Sequence, residues 1–244
     1  MFIDLPKPFQ AQLFATINST QKPVDKSLTY ELFGYNVAEQ PEGYWSPDKL
    51  AVFLARKLNA EPDSPLRNKI IVAPLNDFSV GTSSQENPWK VSMATVVEGI
   101  LRLISSNPKR DTNELLTPRP KERNTLKSAP STQPALRSAY IESNDNLIYV
   151  TVRNFLEAAD SVFWKRAKDG SFIIKTVGIQ ALFDVLRKLA PSALEQKDVS
   201  VKSFVGRLSA ASDIDFAADN FRNASGSGRS EIRRAIEAKI GLAE

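Results

Sequence analysis

The chain has 244 residues, of which 42% are hydrophobic and 25% charged, as is usual for a globular protein of one large or two small domains. It contains no cysteine and no histidine, which excludes disulfides, zinc sites built on thiolate or imidazole, and Ser-His-Asp catalysis. The formal net charge of +4 allows a polyanionic partner but does not require one.

The first 34 residues show two short helices joined by a polar hinge. Apolar side chains from Phe9 to Ile17 share one helical face, and the hinge covers residues 18–22. Asp25 is a typical N-cap for a second helix, which ends at Gly34. The hinge is either a plain turn or a ligand- or nucleotide-binding loop. Our candidate residues for such a loop are Asn18, Thr20, Gln21, Lys22, Lys26 and Ser27.

Residues 35–106 form a predicted helical region. The pattern from Ser46 to Leu58 is that of a capped helix with one apolar face. Ile70 to Ala73 has strand propensity, and we expect it to pair with Phe78 to Val80. Either Ser92 or Thr95 caps the next helix, whose full apolar stripe indicates a core position.

Residues 107–136, which we call the basic segment, are predicted to be a flexible basic linker or loop. They contain several prolines, few apolar residues and no helical period, and six Lys or Arg face three Asp or Glu. The alternative is a basic arm along a nucleic-acid backbone, where cations gain by releasing counterions. In that case Arg119, Lys121 and Arg123 are expected to contact phosphates.

Residues 137–244 form a predicted C-terminal helical region. Helices are expected over 146–164, from Thr176 to Pro191, and after the N-cap Ser200. Ser171 to Lys175 is predicted to be a short strand or extended segment.

A small-residue loop opens the last predicted helix and is a second candidate site. Backbone N–H groups and the helix dipole favour an anion at such a place, although a glycine-rich N-cap with solvated arginines has the same composition. No lysine followed by Ser or Thr stands at the spacing of a Walker A loop. The phosphate- or DNA-binding candidates are Ser225, Gly226, Ser227, Gly228, Arg229, Arg233 and Arg234.

Other polar and aromatic clusters receive no role. Asp213, Asp215 and Asp219 alternate with apolar residues and are interpreted as a surface face, and the three tryptophans are too scattered for a base-stacking platform. No catalytic residue, cofactor or metal ion is predicted. Since the N-terminus lacks signal-peptide features and no apolar run approaches the roughly 20 residues that cross a bilayer, we expect a cytoplasmic protein without a membrane segment.

One stretch of the sequence resembles a known family. Phe14, Ile17, Asn18, Gln21, Lys22, Val24, Ser27, Leu28 and Leu32 resemble a segment of the DGQHR-domain proteins, a group that includes the DndB proteins of phosphorothioate DNA modification. Residues 55–70, residues 176–189 and the loop at 225–228 resemble later segments of that group in the same order. The naming motif is absent, because the chain has no histidine.

From these patterns we expect a mainly helical protein with a few short strands, and the resemblance implies that residues 1–34 are the end of a ParB/sulfiredoxin-like core. The chain then corresponds to the C-terminal part of such a protein. We expect an accessory or regulatory protein linked to DNA modification or defence that binds DNA, with DNA and other DNA-modification proteins as partners. The alternatives are a nucleotide-binding or nucleotide-hydrolysing ParB-like enzyme, or a truncated fragment without independent function.

Overall fold

The computed structural model describes residues 40–71, 89–127, 133–222 and 226–242. Within these ranges the protein has eight α-helices, six short 3₁₀-helices and one sheet of two strands, which confirms a mainly helical fold with few short strands. None of the described helices is long and apolar enough to cross a membrane. The predicted division of the chain into domains stays a prediction. The first predicted unit, residues 1–34, lies outside the described ranges.

The helices and strands are interspersed with short 3₁₀-helices along the chain. The helices are α1 (Pro47–Ala60), α2 (Met93–Ile104), α3 (Pro108–Leu115), α4 (Arg137–Ile141), α5 (Asp145–Val162), α6 (Thr176–Glu195), α7 (Val201–Leu208) and α8 (Gly226–Lys239). The strands are β1 (Ile70–Ile71) and β2 (Val91–Ser92). The 3₁₀-helices cover Glu42–Tyr44, Arg123–Thr125, Trp164–Arg166, Phe172–Ile174, Ser209–Ala211 and Asp219–Phe221.

Five helices begin at a side-chain cap. The hydroxyl of Ser46, Ser92 or Ser200 accepts a hydrogen bond from the backbone N–H three residues further on. The sequence predicted Ser46 and Ser200 as caps and left Ser92 and Thr95 as alternatives, of which Ser92 is the cap. Asn107 and Asn144 do the same with their amide oxygens at the starts of α3 and α5. Each cap satisfies one of the backbone donors that a helix start leaves without a helical partner.

One apolar core joins these helices. Its buried side chains run from Trp45 to Ile236, and α6 lies centrally, packed against α2, α5 and α8. The stripe predicted from the sequence, which includes Leu182 and Phe183, is the buried face of α6. Helix α1 packs on α2, and α7 packs on α5.

The two strands pair in parallel, with Ile70 opposite Val91. The sequence had suggested Phe78 to Val80 as the partner of this strand, and those residues lie outside the described ranges. The prediction of a short strand or extended segment at Ser171 to Lys175 is wrong for its central residues. Phe172–Ile174 is a 3₁₀-helix whose first N–H donates to the carbonyl of Phe216 at 2.9 Å. This turn leads directly into α6.

Helix α6 does not end at Pro191, as predicted, but continues to Glu195. Proline lacks the N–H that would donate to the carbonyl of Arg187, four residues earlier. Both Pro191 and Arg187 are exposed, so water can replace that missing donor. A proline on the solvent face is therefore compatible with a continuous helix here.

The described part of the basic segment is folded, which corrects the prediction of a linker without helical structure. It contains α3 and the 3₁₀-helix Arg123–Thr125, and α3 packs against α1. Leu115 and Leu126 contribute buried side chains to the core. Residues 128–132 lie outside the described ranges.

Candidate nucleic-acid interface

Arg123 of the basic segment lies in the interior of the protein. Its side chain is 0% exposed, and its two terminal nitrogens donate to the carboxylate of Asp145 at 2.7 and 3.0 Å. The guanidinium also lies over the ring of Tyr140, with 4.9 Å between its central carbon and the ring centroid. Because this cation is buried and paired, the expectation that Arg123 contacts a phosphate is corrected.

One of the two acidic residues of α3 is also buried. Asp111 is buried and accepts two hydrogen bonds from the guanidinium of Arg137, one of them at 3.0 Å from Nη2 to Oδ1. The hydroxyl of Ser105 donates to the same carboxylate. A pair that is buried, bidentate and supported by a third donor fixes the position of α3.

Tyr140 links the two ion pairs. Its ring lies beneath both guanidinium groups, with the central carbon of Arg137 at 5.6 Å from the centroid. Its hydroxyl donates to the carbonyl of Trp45 at 2.9 Å, and burial raises the pKa of this phenol well above its ordinary value. The basic segment is therefore anchored to the start of α1 and to α4 and α5 by polar contacts as well as by the core.

Because Arg123 and Asp111 are buried, the charged residues of the segment that remain at the surface are mostly basic. Of the segment's six cations only Arg123 is buried, and of its three carboxylates only Asp111, so five cations remain against two carboxylates. The two are Glu114, which is half-buried, and Glu122, which is exposed and accepts from the side chain of Asn124 at 2.9 Å. The basic surface consists of the exposed residues Lys109, Arg110, Arg119, Lys121 and Lys127.

The predicted phosphate site at the start of α8 is differently arranged. Arg229 forms a bidentate pair with Asp184 of α6, with Nε–Oδ2 and Nη2–Oδ1 distances of 2.6 Å each. Arg102 of α2 lies 3.9 Å from the same carboxylate. Arg229 therefore holds α8 against α6, and its guanidinium is already occupied by a buried carboxylate.

The next turn of α8 repeats this pattern. Glu237 is buried; Lys188 Nζ lies 3.1 Å from its Oε2, and Arg233 Nε lies 3.8 Å from its Oε1. Arg234 is the one arginine of the predicted trio that is exposed. The i, i+4 spacing of Arg233 and Glu237 is a sequence signal that would have indicated this pairing.

The remaining predicted site residues belong to the start of α8 and to the ligand loop, and only some of them lie in the described ranges. Gly226, Ser227 and Gly228 form the first turn of α8, with Ser227 exposed and Gly228 buried, while Ser225 lies outside the described ranges. The predicted ligand loop also lies outside them, with all its candidates: Asn18, Thr20, Gln21, Lys22, Lys26 and Ser27.

The predicted acidic face is at the surface. Asp213 and Asp215 are exposed and accept from Lys239 and Lys168, whose hydrogen bonds lower the pKa of each carboxyl below its ordinary value. Asp219 is also exposed. Within the described ranges, no group of three or more carboxylates is arranged to hold a metal ion.

Two of the three tryptophans, scattered in the sequence, meet in the fold. The rings of Trp89 and Trp164 lie edge to face with centroids 5.0 Å apart, and Lys69 Nζ lies 4.7 Å from the centroid of Trp89. Burial lowers the pKa of this lysine. The ammonium group of Lys69 occupies this aromatic corner, so the rings are not free for base stacking.

No protein-family model, curated protein or solved structure matches this chain. The resemblance to DGQHR-domain proteins therefore stays a prediction, and the stretch that carries most of it, Phe14 to Leu32, lies outside the described ranges.

Proposed function

We propose that this protein binds DNA through the basic surface, as an accessory or regulatory component of DNA modification or defence. The observation that supports DNA binding is that the described part of the basic segment has five exposed cations and only two carboxylates that are not buried. The link to modification or defence depends on the resemblance of Phe14 to Leu32 to DGQHR-domain proteins.

The physical argument concerns phosphates. Each lysine or arginine that meets a DNA phosphate releases a condensed counterion, and the affinity then falls with salt by about 0.9 log units per log unit for each contact. The side chains of the basic surface extend from a backbone held by the Arg123–Asp145 and Asp111–Arg137 pairs. Less backbone entropy is therefore lost on binding than for a free basic tail. Contacts of this kind position a protein on the duplex but carry little sequence information.

The test is fluorescence anisotropy of a labelled DNA duplex, titrated with the protein at several salt concentrations. A fourfold variant replaces Lys109, Arg110, Arg119 and Lys121 by Gln. A matched control replaces four exposed cations elsewhere, Arg67, Lys202, Arg222 and Arg234, by Gln. Both variants lose the same charge, so a general electrostatic effect changes them equally.

We expect the first variant to bind with a slope of log affinity against log salt that is shallower by about 3.6 units if each cation meets one phosphate. The control should keep the wild-type slope within about one unit. Absence of wild-type binding at low salt would refute DNA binding by this chain. A flatter slope in the control alone would move the site away from the basic surface, with Arg234 of α8 as the first residue to examine singly.

A further inference from the structure

A cavity of about 170 Å³ lies between the end of α5, the turn that follows it and residues 212–216. Its apolar wall includes the buried side chains of Phe163, Ile173 and Phe216, which are 4%, 1% and 5% exposed. Phe163 and Phe216 meet edge to face with centroids 5.5 Å apart. The cavity is open to solvent on the side of its charged residues. Its volume is close to the roughly 150 Å³ of an enclosed apolar cavity that holds a benzene molecule in another protein, so it has room for a single six-membered ring.

The mouth of the cavity carries four charged side chains, all exposed: Arg166, Lys168, Asp213 and Asp215. Lys168 Nζ lies 2.7 Å from Asp215 Oδ2, so these two charges compensate one another. Asp213 Oδ2 accepts from Lys239 Nζ at 2.5 Å and is compensated from α8.

Arg166 is the exception at this mouth. Its guanidinium makes no hydrogen bond, ion pair or ring contact with any residue in the described ranges. Because Lys239, which does not line the cavity, compensates Asp213, one positive charge is left over at the mouth, on Arg166 next to the apolar wall.

We propose that this cavity binds a small monoanion with an apolar body of about one ring, of the class of aromatic carboxylates. The ring lies against Phe163 and Phe216, where edge-to-face contacts between aromatic groups are favourable. The carboxylate meets Arg166, whose planar pair of N–H donors matches the two oxygens of a carboxylate.

The charges at the mouth also determine which classes of ligand the cavity excludes. A dianion such as a phosphate ester brings a second negative charge next to Asp213 and Asp215, and among the described cavity-lining residues Arg166 is the cation left to offset it. A cation finds both carboxylates already paired with lysines. The cavity shares no lining residue with the basic surface, so this inference is independent of DNA binding.

The experiment is an NMR titration of the protein carrying ¹³C-labelled isoleucine methyl groups. Ile173 and Ile214 line the cavity, whereas Ile236 lies in α8 and does not. Benzoate is the probe, and benzyl alcohol is its neutral counterpart of similar size. We expect benzoate to shift the Ile173 and Ile214 methyl signals saturably and to leave that of Ile236 unchanged.

The variant Arg166→Gln should weaken benzoate binding roughly tenfold or more, since a hydrogen bond to a charged group is lost. It should leave benzyl alcohol binding unchanged. The matched control is Arg222→Gln, which removes an exposed arginine outside the cavity lining and should leave both probes as in the wild type.

Three results would overturn the proposal. The first is a benzoate titration that shifts no cavity methyl, or shifts methyls without saturating. The second is equal affinity of the wild type for benzoate and benzyl alcohol, which shows an apolar cavity without anion selectivity. The third is an Arg166→Gln variant that keeps wild-type benzoate affinity, or that weakens both probes to the same degree.

Discussion

Replacing Asp145 by Asn tests the buried pair that anchors the basic segment. Arg123 is fully buried, and Asp145 is the carboxylate that receives its two hydrogen bonds, at 2.7 and 3.0 Å. The Nε of Arg123 has no hydrogen-bond partner among the residues that the structure describes. The substitution therefore leaves a buried cation without compensation, and a loss of about 3–5 kcal/mol in the free energy of unfolding is expected.

The opposite replacement, Arg123→Met, should cost less. The side chain of Asp145 keeps 12% exposure and lies in the first turn of α5, where water and the helix dipole stabilise a carboxylate by about 0.3–1 kcal/mol. Methionine also preserves apolar contact with Tyr140. We expect the double variant that combines Arg123→Met with Asp145→Asn to be more stable than Asp145→Asn alone, because it no longer contains an uncompensated buried cation.

The assay is urea unfolding followed by far-UV circular dichroism, with thermal unfolding in parallel. For a chain of this size the predicted loss lowers the Tm of Asp145→Asn by roughly 6–20 °C. The control is Asp219→Asn, which affects a pair with Arg222 whose side chains are 94% and 78% exposed and should leave stability unchanged. Wild-type stability of Asp145→Asn, or a larger loss for Arg123→Met, would refute the assignment of the buried charge.

Two further predictions concern packing and pH. Gly99→Ala should lower the free energy of unfolding by about 1–3 kcal/mol, because the added Cβ would lie 2.4 Å from the ring of Phe183. At Gly206 an added Cβ meets nothing within 4 Å, so Gly206→Ala should raise the free energy of unfolding by about 0.5–1 kcal/mol. Equal urea midpoints for the two variants would contradict this prediction. Burial and a hydrogen bond to Glu61 raise the pKa of Tyr149, so its contribution to stability is complete below pH about 10 and is lost as the pH rises through the folded-state value. Tyr149→Phe should therefore reduce the loss of stability that urea unfolding detects above that pH, and an unchanged pH dependence would refute the assignment.

Local features of the fold could be predicted from the sequence. Ser46, Ser92 and Ser200 cap helices because a hydroxyl reaches a backbone N–H only three residues away, so the interaction depends on neighbouring residues alone. The apolar stripe of α6 was predictable for the same reason, since helical periodicity places its members on one face. Local patterning also misled at Ser171 to Lys175, where apolar residues without a described strand partner form a tight turn into α6.

The basic surface was decided by contacts between distant parts of the chain. Composition showed six cations and three carboxylates in the basic segment, but not which of them face solvent. Arg123 is 22 residues from Asp145, and Asp111 is 26 residues from Arg137. The first pair forms only when the 3₁₀-helix Arg123–Thr125 meets the start of α5, and the second only when α3 meets α4. Burial then removes one charge of each sign from the surface, because a charge enters the interior only with a partner.

The same distinction holds for the cavity. Arg166 and Phe216 are 50 residues apart in the sequence, and no periodicity relates them. Helical spacing and caps are set by interactions within a few residues, and the sequence alone therefore determined helices such as α1, α2 and α6. It did not determine α3, which lies in a segment predicted to be a linker or loop. The sites depend on which side chains the tertiary packing brings together and which charges it leaves without a partner, and only the folded structure decides this.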